Sequence, residues 1–353
     1  MKVLVALSGG VDSSVAAAVM VSQGHDVIGV TLKQWSGPGG SLPTTGCCTV
    51  SDAEDARRVA SALGIPYYVL DYREQFAEAV VDHFGREYLS GRTPNPCIEC
   101  NRRVRFGALL ARLAELGCDR LVTGHHARVD RHGDRFRLLS GRDPGKDQSY
   151  VLHMLGQAEL AVVALPIGEM TKVQVREEAT RLGLRTADKP ESQDLCFVGG
   201  DYREFLRERF PESVRPGRVV DINGSVVGAH AGTAGFTVGQ RRGLGVSLGE
   251  ARFVVGVDAT TATVTIGRRR DLATTGCRVT GTSFVSGSPP EQGSEVEVKV
   301  RYRSPAVAAT LWDRGNHHLL RFAEPQSAVS PGQAAVFYRG DEVLGGGTIV
   351  GAP

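Results

Sequence analysis

Apolar residues follow two different rhythms along this chain, and the change comes near residue 205. Before it, short Val/Leu-rich runs alternate with segments of helical spacing. Lys2–Leu7 reads as a buried strand and Ser13–Val21 as a small-residue helix. Asp26–Leu32 is a second strand. Ser51-Asp52-Ala53-Glu54 has the form of a capping box, opening a helix with Ala56, Val59, Ala60 and Leu63 on one face. Tyr67–Leu70 is a third strand, followed by a helix over about 73–89. A further helix follows Asn101, with Phe106, Leu109, Leu110 and Leu113 in phase, and Asp119–Thr123 returns to strand. Thr171 and Gln174 open another helix to Leu182. Strand and helix in alternation predict an α/β fold, a doubly wound parallel sheet with helices on both faces. Such sheets bind ligands beyond the carboxyl ends of their strands, which directs attention to Ser8–Ser13, Leu32 and Gly124.

After residue 205 the helical period fades and short runs dominate: 218–222, 252–258, 263–266, 295–300, 306–312, 318–322, 334–338 and 348–350. Regular short strands with Gly, Asp and Pro turns predict small β domains, the last a barrel. Ser286–Pro290 reads as a loop near a boundary. The expected division is 1–205, 206–275 and 276–353.

Composition adds limits. The chain has 353 residues, 41% hydrophobic and 23% charged, which suits a globular protein of two or three domains. No stretch reaches the roughly 18 apolar residues of a membrane span. The apolar start breaks at Ser8-Gly9-Gly10, too soon for a signal-peptide core, so a cytoplasmic protein with no membrane partner is expected. A net charge of +2 leaves nucleic-acid contact to local clusters: Arg241-Arg242, Arg268-Arg269-Arg270, and Arg301 with Arg303.

Ser8-Gly9-Gly10-Val11-Asp12-Ser13-Ser14 follows a strand and opens a helix. Glycines allow close approach of an anion, and a helix start offers amides and partial positive charge. Asp12 could hold a hydrated Mg2+ that bridges it to phosphate. The Walker pattern and the dinucleotide fingerprint are both absent.

Seven cysteines stand at 47, 48, 97, 100, 118, 196 and 277, too few for a disulfide scaffold at this size. Pro94 and Pro96 make a stiff entry to Cys97-Ile98-Glu99-Cys100, with Asn101 an acceptable cap for the helix beyond. A helix start favours thiolate, the reactive form. Cys196 lies in a polar, turn-like stretch, Glu191–Phe197, whereas Cys118 and Cys277 read as half-buried. Two chemistries fit: sulfur transfer, or a zinc or iron–sulfur site on Cys97, Cys100 and Cys196, completed by Cys47-Cys48 or a histidine.

The loop resembles the PP-loop ATP pyrophosphatase superfamily, whose mark is Ser-Gly-Gly-x-Asp-Ser, and so implies a HUP-like first domain, ATP cleavage between the α and β phosphates, and adenylation of a substrate oxygen. Taken with Thr93-Pro94-Asn95-Pro96, Cys100-Asn101, Thr123–Ala127, Gly145–Tyr150, Ser192–Phe197, Phe236–Gly245 and Arg301-Tyr302-Arg303, the chain resembles the tRNA-specific 2-thiouridylase (MnmA/TrmU) family over almost its whole length. That resemblance implies a sulfurtransferase acting on the wobble uridine of tRNA. Ala6, Leu7, Ser8, Gly9, Gly10, Val11, Asp12 and Ser13, with Leu32 and Gly124, would bind ATP with Mg2+. Cys196 would carry a persulfide supplied by a cysteine desulfurase or sulfur-relay protein. Cys100 would attack it, leaving a Cys100–Cys196 disulfide, or support its direct attack. His125, Lys146, Asp147, Gln148, Arg301, Tyr302 and Gln333 would contact tRNA, as would both smaller domains.

Two positions depart from the family pattern. Many relatives have Asp where this chain has Cys97, which makes Cys97 a resolving thiol or a metal ligand; and His126 stands where Tyr is frequent. Two rivals remain at this level. Another PP-loop synthetase would need no paired cysteines, and an RNA-binding protein with a dead nucleotide loop would not need Asp12-Ser13 intact.

Overall fold

The structure, a computed structural model, describes residues 1–37, 50–190, 195–246 and 249–353. Cys47, Cys48 and Glu191–Asp194 lie outside the described residues.

β1 (Lys2–Ala6), β2 (Asp26–Lys33), β3 (Tyr67–Asp71) and β4 (Arg120–Val122) come first, then a hairpin of β5 (Ala127–His132) and β6 (Arg135–Ser140), then β7 (Val163–Ala164). All but the hairpin form a parallel sheet in the order β3-β2-β1-β4-β7. Chain direction across the sheet reverses between β1 and β4, the kind of switch point where an open α/β sheet presents a crevice. Side chains of β1 divide between two cores: Leu4 packs with Ile28, Val30 and Leu121 on one face, Val3 and Val5 with Val27 and Val122 on the other. Both faces are therefore buried, as the continuous apolar runs require. Helix α1 (Val11–Ser22) and helix α2 (Val50–Ala62) follow β1 and β2.

The predicted helix over 73–89 forms, with a π-helical stretch, Ala77–Asp82, between Arg73–Phe76 and His83–Leu89. The next helix starts earlier than the sequence suggested. It runs as Pro96–Glu99, Cys100–Ala108 and Leu109–Glu115, with Asn95, not Asn101, as its cap. The Asn95 side chain accepts from the Cys97 amide at 3.1 Å, and Pro96 occupies the first helical position, where no amide is needed. Asn101 is buried inside the helix and donates to the Val151 carbonyl at 3.0 Å.

A four-stranded sheet follows: β8 (Gly217–Asp221), β9 (Val226–His230), β10 (Phe253–Asp258) and β11 (Thr263–Gly267), in the order β10-β11-β8-β9. The last six strands are β12 (Ala273–Phe284), β13 (Ser294–Lys299), β14 (Val307–Asp313), β15 (His318–Ser327), β16 (Ala334–Arg339) and β17 (Glu342–Gly351). They close into a barrel because β12 pairs with both β15 and β17. Ser286–Pro290 joins β12 to β13 within this barrel rather than marking a boundary. Cys277 is fully buried in the barrel core, not half-buried.

One sheet pairing among the described residues joins the first region to the barrel. The β5–β6 hairpin of the first region adds to β17, with Leu139 opposite Glu342 and Leu138 opposite Val343. β17 turns from the hairpin to β12 at Gly345-Gly346-Gly347; a Cβ at Gly345 would lie 2.1 Å from the Ser283 carbonyl oxygen.

Candidate active site

The Ser8–Ser14 loop forms the β1–α1 connection, with Gly10 as the extended residue before the helix. The Ser13 hydroxyl accepts from the Ser8 amide at 3.1 Å and donates to the Gly10 carbonyl at 3.1 Å. Ser14 donates to the same carbonyl at 2.8 Å. These bonds hold the turn open, with the first amides of α1 facing outward by helix geometry. Gly9 has φ +73° and sits so close to α2 that a Cβ would lie 2.2 Å from the Asp52 carbonyl oxygen. Gly124, just past β4, leaves equally little room: a Cβ there would lie 2.6 Å from backbone atoms of Asp12 and Ser13.

Two ammonium groups brace the loop, and sequence reading had singled out neither. Lys172 lies beyond β7 and contacts both Asp12 oxygens, at 2.8 and 2.7 Å. The His126 ring bonds Asp12 at 3.1 Å. Burial resists the Asp12 charge, but the His126 and Lys172 hydrogen bonds outweigh it, so the carboxyl titrates below its usual range. Lys189 donates to the Gly9 carbonyl at 3.0 Å, to Asp52 at 2.7 Å and to Asp55 at 2.6 Å. Burial disfavours its charge, yet the two carboxylates raise its pKa. Residue 126, a departure from the family pattern, thus faces the loop aspartate. Lys172 follows the capping residue Thr171 beyond a strand end, which was a usable signal; Lys189 carried none.

Both cysteine segments pack into the core on the Leu4 face of the sheet. Gln34, one residue beyond β2, donates to the Cys100 sulfur at 3.4 Å. Its neighbour Trp35 meets the Phe197 ring at 6.2 Å. Phe197 also packs on Phe76, Phe84 and Phe205, at 5.9, 5.2 and 5.4 Å between ring centres. Cys100 belongs to this core and Cys196 packs against it, while Cys97 is exposed. Among the described residues no group of three or more His, Cys, Asp or Glu side chains is arranged to hold a metal ion.

The remaining candidates divide between inward and outward positions. His125 is buried, bonded to Thr123 at 2.7 Å and Arg105 at 3.3 Å; burial, then Arg105, lowers its pKa to about 3. Asp147 accepts from the Gly141 and Ser149 amides and from Lys299 of the barrel, each at 3.0 Å. Gln148 accepts from the His126 amide at 2.9 Å, and Lys146 is half-buried. Arg301 and Tyr302 are exposed, Tyr302 lying 5.8 Å from the Tyr150 ring. Gln333 donates to the Thr93 carbonyl at 2.7 Å. Thr93 also donates its amide to Pro331 at 2.8 Å and its hydroxyl to Thr237 at 3.1 Å, so one residue touches all three regions.

Three family profiles cover the chain: a tRNA methyl transferase HUP domain over residues 1–200, a tRNA methyl transferase PRC-barrel domain over 203–268 and an aminomethyltransferase beta-barrel domain over 274–349. The tRNA-specific 2-thiouridylase MnmA of Moorella thermoacetica is 48% identical over 354 residues, covering 98% of each chain. The chain belongs to the tRNA-specific 2-thiouridylase MnmA family. The Geobacter metallireducens member is 49% identical over 356 residues, 99% of this chain and 96% of its own. The solved structure of a 4-thiouridine synthetase–RNA complex with bound ATP aligns at TM-score 0.35 and 18% identity, over 60% of this chain and 50% of that one. The parallel sheet, the four-stranded sheet and the closed barrel described above correspond in turn to these three matched ranges. Among the described residues no helix is long and apolar enough to cross a membrane.

Proposed function

We propose that this chain catalyses ATP-dependent 2-thiolation of the wobble uridine of tRNA. Full-length identity to 2-thiouridylases carries the reading, and the packing of Cys100 and Cys196 on one core supports it. The C2 oxygen of a uridine taken out of its stack attacks the α phosphorus of ATP, and pyrophosphate leaves. Loop amides and the serine hydroxyls hold the departing pyrophosphate, while Lys172 compensates Asp12 of the loop and Lys189 compensates Asp52 and Asp55 of α2. Both Asp12 oxygens are bonded to Lys172 and one also to His126, so Asp12 would hold Mg2+ through the ion's water rather than directly. Bound there, Mg2+ would supply neutralisation of phosphate charge.

Sulfur arrives as a persulfide on Cys196, loaded by a cysteine desulfurase or a relay protein. Cys100 receives a hydrogen bond from Gln34, which orients its sulfur. It breaks the Cys196 persulfide, directly or after that persulfide has reached C2. AMP leaves, C2 gains sulfur, and Cys100 and Cys196 are left joined as a disulfide. Lys146, Arg301, Tyr302 and the exposed arginines at 241, 242 and 268–270 supply the charge and stacking surface for RNA. The setting is the cytoplasm, where tRNA and reductants are present. An iron–sulfur cluster on the cysteines is the second reading, raised by the Cys97/Cys100 spacing.

Incubation with tRNA, Mg-ATP and a persulfide donor tests the proposal. It expects 2-thiouridine by mass spectrometry, with AMP and pyrophosphate in equal amounts. Thiolation without ATP, or ATP cleavage with no thionucleoside, would refute it.

A further inference from the structure

The proposed thiolation leaves a redox debt. Reducing persulfide sulfur takes two electrons, and by either route these come from Cys100 and Cys196, which end as a disulfide. Both sit at the Trp35–Phe197 core, Cys196 partly buried and Cys100 buried, so the Cys100 sulfur of that disulfide is shielded from an external reductant. Cys97 is different. It is exposed, on the first turn of the same helix, three residues before Cys100. That spacing puts their Cα atoms about 5 Å apart, within the roughly 4.4–6.8 Å that a disulfide spans. The turn is fixed by Asn95, which accepts from the Cys97 amide, and by Pro96.

We propose that Cys97 is the resolving thiol of the catalytic cycle, moving the disulfide from the buried Cys100–Cys196 pair to an exposed Cys97–Cys100 pair. The Cys97 thiolate attacks the Cys100 sulfur. The Cys97–Cys100 bond forms, the Cys100–Cys196 bond breaks, and Cys196 leaves as thiolate, ready to be loaded again. An external protein dithiol then supplies two electrons and two protons at the exposed sulfur, becoming a disulfide itself and restoring Cys97 and Cys100. Cys118 cannot take this part: burial pushes its thiol up, and it donates to the Leu116 carbonyl at 3.7 Å.

The inference rests on the thiolation reading, and the test separates the two. Wild type and Cys97→Ser are supplied with tRNA, Mg-ATP, a cysteine desulfurase with cysteine, and thioredoxin with its reductase as the dithiol probe. Wild type turns over repeatedly. Cys97→Ser makes about one 2-thiouridine per chain and then slows about tenfold, because its disulfide stays in the core. Peptide mapping under non-reducing conditions finds Cys100–Cys196 in the stalled variant and Cys97–Cys100 in wild type quenched without thioredoxin. Dithiothreitol, a small dithiol, restores turnover to the variant. Wild-type rates in Cys97→Ser with thioredoxin would overturn the inference. So would loss of its first turnover together with bound iron or zinc, which would make Cys97 a metal ligand. No 2-thiouridine from wild type would instead sink the function itself.

Discussion

Asp12 is held between opposing effects at a single side chain. Burial disfavours its charge, while His126 and Lys172 restore it. Lys172→Met should therefore destabilise the protein by about 1–2 kcal/mol at neutral pH, less than a fully buried pair would lose. Adding Asp12→Asn should recover part of that loss, which a double-mutant cycle by thermal or denaturant unfolding measures. Because the folded carboxyl titrates below its unfolded value, its contribution is present above the usual carboxyl range and is lost as pH falls through the depressed value. Wild type should accordingly lose stability more steeply than Asp12→Asn below about pH 4. Gly124→Ala would push a methyl group into the backbone of Asp12 and Ser13. A loop displaced by about 1 Å should lower pyrophosphate release about a hundredfold with the fold retained by circular dichroism. Asp12 and Gly124 could be read from the sequence because each belongs to a short motif beside a strand. The pairings of Lys172 and Lys189 could not: the two lysines reach their carboxylates across 160 and 137 residues, although the cap at Thr171 marked the neighbourhood of Lys172.

At the level of elements, the helix from Pro96 shows how a cap places chemistry. Asn95 fixes the first turn and with it the phase of Cys97 and Cys100. Asn95→Ala should cost about 1 kcal/mol in unfolding experiments and change the alkylation rate of Cys97 more than that of Cys100. Asn101 misled the sequence reading because an Asn near a helix start is an equally good cap by residue type; Pro96 decides the matter by fixing the first helical position. The central parallel strands β1, β2 and β4 were legible because both of their faces are buried; β7, two residues long, was not. β5 and β6 were not, since their runs, Ala127–His132 and Arg135–Ser140, are crowded with charge and half-exposed. β12 was hidden for a related reason: its Gly, Thr and Arg residues blur the alternation.

On the scale of the whole molecule, Thr93 is the joint. It is held by Pro331 and Gln333 of the barrel region and by Thr237 of the middle region, two residues before Asn95. RNA pressing on either β domain would act on the segment that leads to Cys97 and Cys100. Gln333→Ala combined with Thr93→Val should lower single-turnover sulfur transfer about tenfold while leaving ATP affinity within about twofold, a split that rapid-quench and equilibrium binding assays separate. That joint lay beyond sequence reading, because its partners are loop residues with no periodicity. The hairpin on β17 has a consequence of another kind, in the order of synthesis. β17 begins 202 residues after β6 ends, so a growing chain carries an unpaired ribbon edge throughout the making of both later domains. Two nascent chains on one messenger could join through such edges. Arg128, Asp130, Arg131, Arg135 and Arg137 are what stands guard meanwhile, since charge along an open edge discourages pairing between copies. The same charges that concealed the hairpin from its sequence protect it until its proper neighbour is made.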